Sequence, residues 1–135
     1  MSAYKSPHII EFAKLGDSGI GYISVGQQNS LPFEVKRFFW TYYTPESVVR
    51  GRHAHHKTEQ LLLATAGRIL VTTEEGNGTI QTFVIDKPNE ALYIPPNVWH
   101  TMQYSHTATQ LVLASTLYDE SDYIRDYQEF KNVWG

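Results

Sequence analysis

The sequence predicts an all-β sandwich or barrel with a short C-terminal helix. Short runs rich in β-branched and aromatic residues recur roughly every 8 to 12 positions, with turn-forming residues between them. No sustained alternation of strand-like and helix-like segments is present, which argues against a parallel α/β sheet. Helical spacing of apolar residues occurs only in the tail after Asp119.

Taken in order, Ile9 to Phe12 is a short apolar run, and Gly16, Asp17, Ser18 and Gly19 turn the chain into a second short strand from Tyr22 to Val25. GQQNSLPF, residues 26–33, reads as a loop. Val35 to Tyr43, VKRFFWTYY, has the composition and length of a strand and ends at Thr44, Pro45 and Glu46. Arg50 begins a strand that carries His53 and His55. Leu61 to Ala64 is a continuous apolar run of buried-strand type, and Arg68 to Thr73 reads as its hairpin partner across Ala66-Gly67. EEGNG, residues 74–78, contains Asn-Gly and predicts a tight hairpin into Thr79 to Ile85. Asp86 to Asn89 turns again. Ala91 to Ile94, a strand running on from Gln103-Tyr104, and Gln110 to Ser115 supply the remaining strands. The tail from Asp119 sets Tyr123, Tyr127 and Phe130 at helical spacing, which predicts a helix packed on the barrel or on a neighbouring subunit.

A chain of 135 residues supports one core, so residues 1–135 are expected to form a single domain. The net charge of -3 leaves no basic footprint, and nucleic acid is not an expected partner. The absence of cysteine excludes disulfides, thiolate zinc sites and a cysteine nucleophile. No apolar run approaches the roughly 20 residues of a membrane span, and the start, MSAYKSPHIIEF, lacks the apolar core of a secretion signal. A cytoplasmic enzyme or binding protein is expected.

The chemistry concentrates in RGRHAHHKTEQLLLATAG, residues 50–67. His53 and His55 alternate with Ala54, so on an extended strand both imidazoles leave the same face, while His56 leaves the other. Gln60 and Gly67 come next, and YIPPNVWHTMQY, residues 93–104, supplies His100 behind a proline pair.

These residues resemble the two sequence motifs of the cupin jelly roll, whose histidines point into a barrel mouth. Gln60 occupies the position that metal-binding cupins give to an acidic ligand. A neutral amide is a poor substitute for a carboxylate on a divalent cation, although a three-histidine site of His53, His55 and His100 stays open. A denser resemblance covers residues 37–130. Arg50 to His55, Glu59 to Leu62, Leu92 to His100, Leu111 to Ser115 and Tyr118 to Phe130 are similar to the metal-free sugar nucleotide 3,4-ketoisomerases that act on TDP-4-keto-6-deoxyglucose. Residues 16–22 do not fit that family well.

The resemblance implies a homodimeric, cofactor-free isomerase of deoxyamino sugar biosynthesis, serving lipopolysaccharide or S-layer glycans, with a TDP-linked 4-keto-6-deoxy sugar as substrate. Moving a ketone from C4 to C3 requires removal of the hydrogen on C3, an enediol, and protonation of C4. No electron is lost, and histidine titrates in the range such a base needs. The resemblance assigns the carbon base to His53, and His55 is expected to orient it or to carry the oxygen-side proton. Gln60 is expected to hydrogen-bond a histidine or a sugar hydroxyl. Guanidinium forks suit a diphosphate, which selects Arg37 and Arg50, whereas Arg52 and Arg68 are expected at the surface. Several members of that family carry a tyrosine where this chain has Phe39; either Tyr43, Tyr93 or His100 is expected to take its place, or this member works on a somewhat different sugar. Histidine at position 100, where other members have arginine, resembles the branch that forms galacto products. A three-histidine metal-dependent oxygenase and a non-catalytic sugar-binding cupin are the competing readings.

Overall fold

Alternating apolar positions give most strands an inward and an outward side, and two antiparallel sheets enclose one core between their inward sides. The computed structural model describes residues 5–134. Its strands are β1 (His8–Glu11), β2 (Leu15–Asp17), β3 (Gly21–Ile23), β4 (Arg37–Tyr42), β5 (Val49–His55), β6 (Gln60–Ala66), β7 (Ile69–Glu74), β8 (Ile80–Ile85), β9 (Glu90–Ile94), β10 (Trp99–Tyr104), β11 (Thr109–Ala114) and β12 (Tyr123–Ile124), followed by helix α1 (Tyr127–Trp134). One sheet has the order β1-β9-β6-β11-β4 and the other β12-β5-β10-β7-β8, while β2 and β3 form a separate hairpin. The ladders do not join into a closed cylinder, so the fold is an open jelly roll rather than a closed barrel. No helix among the described residues is long and apolar enough to cross a membrane.

Leu62 and Ala64 of β6, Leu92 and Ile94 of β9, Ile69 and Val71 of β7, and Val112 of β11 fill the space between the sheets. Leu61, Ala91 and Tyr93, one position out of phase, pack outside the first sheet with Phe12 and Phe33. On the second sheet the outward Ala54 and Ile124 are covered by Phe130 of α1, with Trp99 beside them.

The structure corrects four expectations about elements. β6 and β7 are not hairpin partners, because they lie in different sheets. Gly67 turns the chain from one sheet to the other at φ 71°, and an added Cβ would sit 2.5 Å from the Ala108 Cα. The strand expected from Gln103 onward instead ends at Tyr104 and begins at Trp99, which brings His100 into register with His53. The tail is helical only over α1; residues 120–122 form a 3-10 turn, and Tyr123-Ile124 extend the second sheet along β5. At the N-terminus, Leu15–Asp17 pairs with Gly21–Ile23, and residues 24–25 lie beyond the strand.

Candidate active site

A bulge in β5 decides which side chains meet. β10 pairs His100 with His53 but Thr101 with Gly51, so Arg52 is the extra residue. Gly51 and Arg52 both adopt left-handed conformations, at φ 84° and 58°. Glycine is required at position 51, where a Cβ would lie 2.9 Å from Met102 Cε and 3.0 Å from the His100 carbonyl oxygen. On a regular strand Arg50 would share the face of Arg52. The bulge shifts that phase, and Arg50 and His53 line the same cavity while Arg52 is exposed.

This cavity, of about 200 Å³, lies between the sheets at one end. Phe39 and Thr41 of β4, Gln60 of β6 and Gln110 of β11 border it from the first sheet; Arg50, His53, His100 and Tyr123 border it from the second, with Arg125 beside them. The ring centroid of His53 is 4.7 Å from that of His100 and 5.0 Å from that of His55. His55 stands behind, 2% exposed, under the Tyr123 ring at 4.4 Å.

Each imidazole has its Nδ1 held by a protein acceptor. His53 faces the Gly51 carbonyl at 3.1 Å, His100 the Val98 carbonyl at 3.2 Å, and His55 the Asp122 carboxylate at 3.0 Å. These acceptors put the hydrogen on Nδ1 and leave Nε2 as a lone pair. The Nε2 of His55 and the Oε1 of Gln60 are buried without a hydrogen-bond partner. One ring nitrogen from each of the three histidines lies within 4.8 Å of the others, so these are the residues that can hold a metal ion.

Burial depresses all three imidazoles below their usual titration range. His53 is lowered, chiefly by burial; His55 falls to about 4, through burial and then the neighbouring His53; His100 falls well below its usual range, through burial and both other histidines. All three are therefore neutral at pH 7. Histidines of an unfolded chain titrate near 6.5, so unfolding in acid takes up protons that the folded site refuses. Stability is then complete above about pH 6.5 and is lost as pH falls toward 4, at up to about 1.4 kcal/mol per pH unit for each histidine. The urea midpoint is expected to drop over that window, and less steeply in His100→Asn. A midpoint that does not change between pH 6.5 and 4 would contradict this assignment of neutral, buried imidazoles.

The sequence-selected residues separate into two groups. His53, His100, Arg50 and Gln60 line the cavity, with His55 directly behind. Arg37 lies next to it, its guanidinium 5.7 Å from the ring centres of Phe39 and Tyr118, with Nε and Nη2 buried and unpartnered. Tyr93 and Tyr43 are not brought there. Because Leu92 and Ile94 face inward, Tyr93 faces outward, and its hydroxyl donates to Glu59 at 2.5 Å. Tyr43 falls one residue past the end of β4, at φ 58°, and is 74% exposed beside Tyr42 and His106.

Three residues of the site come from the tail that reads as helical. Tyr123 covers His53 and His55. Arg125 lies over the Tyr123 ring at 4.2 Å and makes a two-point ion pair with Glu120, at 2.6 and 3.0 Å. Asp122 accepts from His55 and, at 2.7 Å, from the Lys57 amide. The signal was the alternation of Asp122, Ile124 and Asp126 with Tyr123, Arg125 and Tyr127, which fits a strand entry as well as a helix.

An open jelly roll with inward histidines on two neighbouring strands of one sheet defines a cupin-like protein. Within that class, the FdtA family (FdtA: WxcM-like, C-terminal) matches residues 5–135, and the chain belongs to it. It is 40% identical over 124 residues to a TDP-4-oxo-6-deoxy-alpha-D-glucose-3,4-oxoisomerase of Aneurinibacillus thermoaerophilus, covering 91% of this chain and 88% of that one. Two solved structures from Campylobacter jejuni are similar throughout. The TDP-quinovose 3,4-ketoisomerase WlaRB is 33% identical with a TM-score of 0.88, covering 96% of this chain and 99% of its own. The TDP-fucose-3,4-ketoisomerase WlaRA is 29% identical, also with a TM-score of 0.88, covering 97% of each chain.

Proposed function

We propose that this protein is a TDP-sugar 3,4-ketoisomerase that moves the ketone of TDP-4-keto-6-deoxyglucose from C4 to C3 by proton transfer alone. The observation that carries the reading is a set of neutral imidazoles with Nδ1 anchored and Nε2 left as a base, in a cavity bordered by Arg50 and Arg125. His53 takes the hydrogen from C3 and returns it to C4, while His55 serves the hydroxyl protons. The cavity suits the sugar ring rather than the whole nucleotide, so the diphosphate lies at its mouth. Arg50 and Arg125 supply guanidinium groups there, Arg125 through the edge that Glu120 leaves free, and Arg37 is the third cation, beside the cavity. Gln60 hydrogen-bonds a sugar hydroxyl through its free Oε1. No resident metal or cofactor takes part, and the product has the galacto configuration.

Incubation with TDP-4-keto-6-deoxyglucose in heavy water tests the function. Proton spectra are expected to show a 3-keto product. Binding without rearrangement and without exchange of the C3 hydrogen would instead make the protein a sugar-binding cupin. The clustering of three histidine nitrogens favours one second reading, a metal-dependent oxygenase. Metal bound after purification, with activity abolished by chelator, would support it.

The protein works in the cytoplasm as a homodimer formed through the outer face of the first sheet. Phe38, Trp40 and Tyr42 project from β4 at 63%, 56% and 56% exposure, beside half-buried Leu111 and Leu113. Such a contiguous apolar face on a soluble chain marks an association surface. Sedimentation at micromolar concentration is expected to give a dimer for the natural chain and a monomer for Phe38→Asp/Trp40→Asp. A natural chain that sediments as a monomer would sink this proposal.

A further inference from the structure

The His55 ring differs from the other two in what holds it. His53 and His100 rest on neutral backbone carbonyls, whereas His55 rests on a carboxylate that is itself buried, at 9% exposure. Asp122 has only donors around it. Its Oδ1 accepts from the Lys57 amide at 2.7 Å, and its Oδ2 accepts from His55 and from the Thr58 hydroxyl, which also meets Thr116 at 2.7 Å. Burial alone would raise the Asp122 carboxyl, but the hydrogen bonds from Thr58, Lys57 and His55 outweigh it and hold the group below its usual range. The carboxylate is therefore ionised and has no proton to give to His55. At the other end of the imidazole, Nε2 is buried and has no partner among the described residues.

We propose that Asp122 is a positioning residue that fixes His55 in the tautomer with hydrogen on Nδ1, so that the Nε2 lone pair accepts the substrate's hydroxyl proton. This inference rests on the ketoisomerase reading. Isomerisation moves two protons: one from C3 to C4 and one from O3 to O4. In the second transfer the O3–H bond breaks as an Nε2–H bond forms on His55, and that bond breaks in turn as O4 is protonated. Between the two events His55 is an imidazolium, and Asp122 is the adjacent negative charge that stabilises it. Among the described residues, neither His53 nor His100 is hydrogen-bonded to a carboxylate, which separates the carbon-side base from the oxygen-side carrier.

Asp122→Asn tests this, because the amide nitrogen must replace one carboxylate oxygen. With the Asn oxygen kept on the Lys57 amide, its NH2 faces His55 Nδ1 and forces the hydrogen to Nε2. Long-range proton–nitrogen correlation spectra of the histidine-labelled full chain read this directly. They are expected to show His55 with hydrogen on Nδ1 in the natural protein and on Nε2 in the variant. Turnover is expected to fall about 10²-fold or more with KM within about threefold, since a wrong tautomer removes the proton acceptor and leaves binding intact. A natural protein whose His55 carries hydrogen on Nε2 overturns the proposal, even if Asp122→Asn does not fold. So does a variant that changes tautomer yet keeps turnover. The tautomer is measured without substrate, so a natural chain that fails to isomerise counts against the proposed function alone.

Discussion

His53→Asn is expected to fold, to bind TDP normally, and to lose isomerisation by about 10²- to 10⁴-fold or more. The fold should survive because the ring's hydrogen bond from Nδ1 to the Gly51 carbonyl, at 3.1 Å, can be donated by an asparagine amide. Nucleotide binding should survive because the guanidinium groups of Arg50 and Arg125 do not depend on the imidazole. Only the lone pair that faces the cavity is removed. Neither neighbour replaces it at carbon: His55, lowered to about 4 and standing behind His53 under the Tyr123 ring, serves the hydroxyl protons, and His100, held well below its usual range, is a weak base toward carbon. The decisive reading is exchange of the C3 hydrogen in heavy water, because it isolates the carbon-side step from later ones. Unchanged thermal unfolding together with lost exchange is the expected pair of results. Near-normal turnover would mean that His53 is not the base.

Much of this site is legible in the sequence because period-two alternation is a strong constraint where one strand face is buried. His53 with His55, and Phe39 with Arg37, share faces as their spacing requires. The same rule, applied to Leu92 and Ile94, puts Tyr93 outside the sheet, and a glutamate then takes its hydroxyl. Alternation fails where the backbone leaves the regular strand. Arg50 reaches the cavity only through the bulge at Gly51-Arg52, and Tyr43 misses it because β4 has ended. The tail misleads for another reason. Two residues, Tyr123 and Ile124, add to the edge of a sheet that is formed by residues far away in the chain, and such pairing leaves little local pattern. Tyr123, Asp122 and Arg125 therefore look like the polar and aromatic positions of an amphipathic helix. The crossover at Gly67 is hidden similarly, since a glycine with φ of 71° serves a hairpin or a change of sheet equally well.

The configuration at C4 of the product is expected to be galacto, because it depends on how many proton donors the site offers to carbon. The hydrogen on C3 of the substrate lies on one face of the ring. A galacto product carries its new C4 hydrogen on that same face, and a gluco product on the opposite one. One imidazole can therefore collect and return the proton in the first case, while the second needs another donor across the ring. Structural similarity does not choose between them, since ketoisomerases named for TDP-fucose and for TDP-quinovose superpose equally well, each with a TM-score of 0.88. His100 is the residue that would have to serve as the second donor. Its Nδ1 hydrogen is directed to the Val98 carbonyl at 3.2 Å, so Nε2 has none to give. Burial and the two neighbouring histidines hold it well below its usual range, so it does not acquire one at neutral pH. Same-face return by His53 is then the available route. Borohydride reduction of the fresh product fixes the centre, and a small coupling between H4 and H5 is expected. A large axial-axial coupling would establish the gluco product, and a donor on the opposite face would then have to be found among residues other than His100.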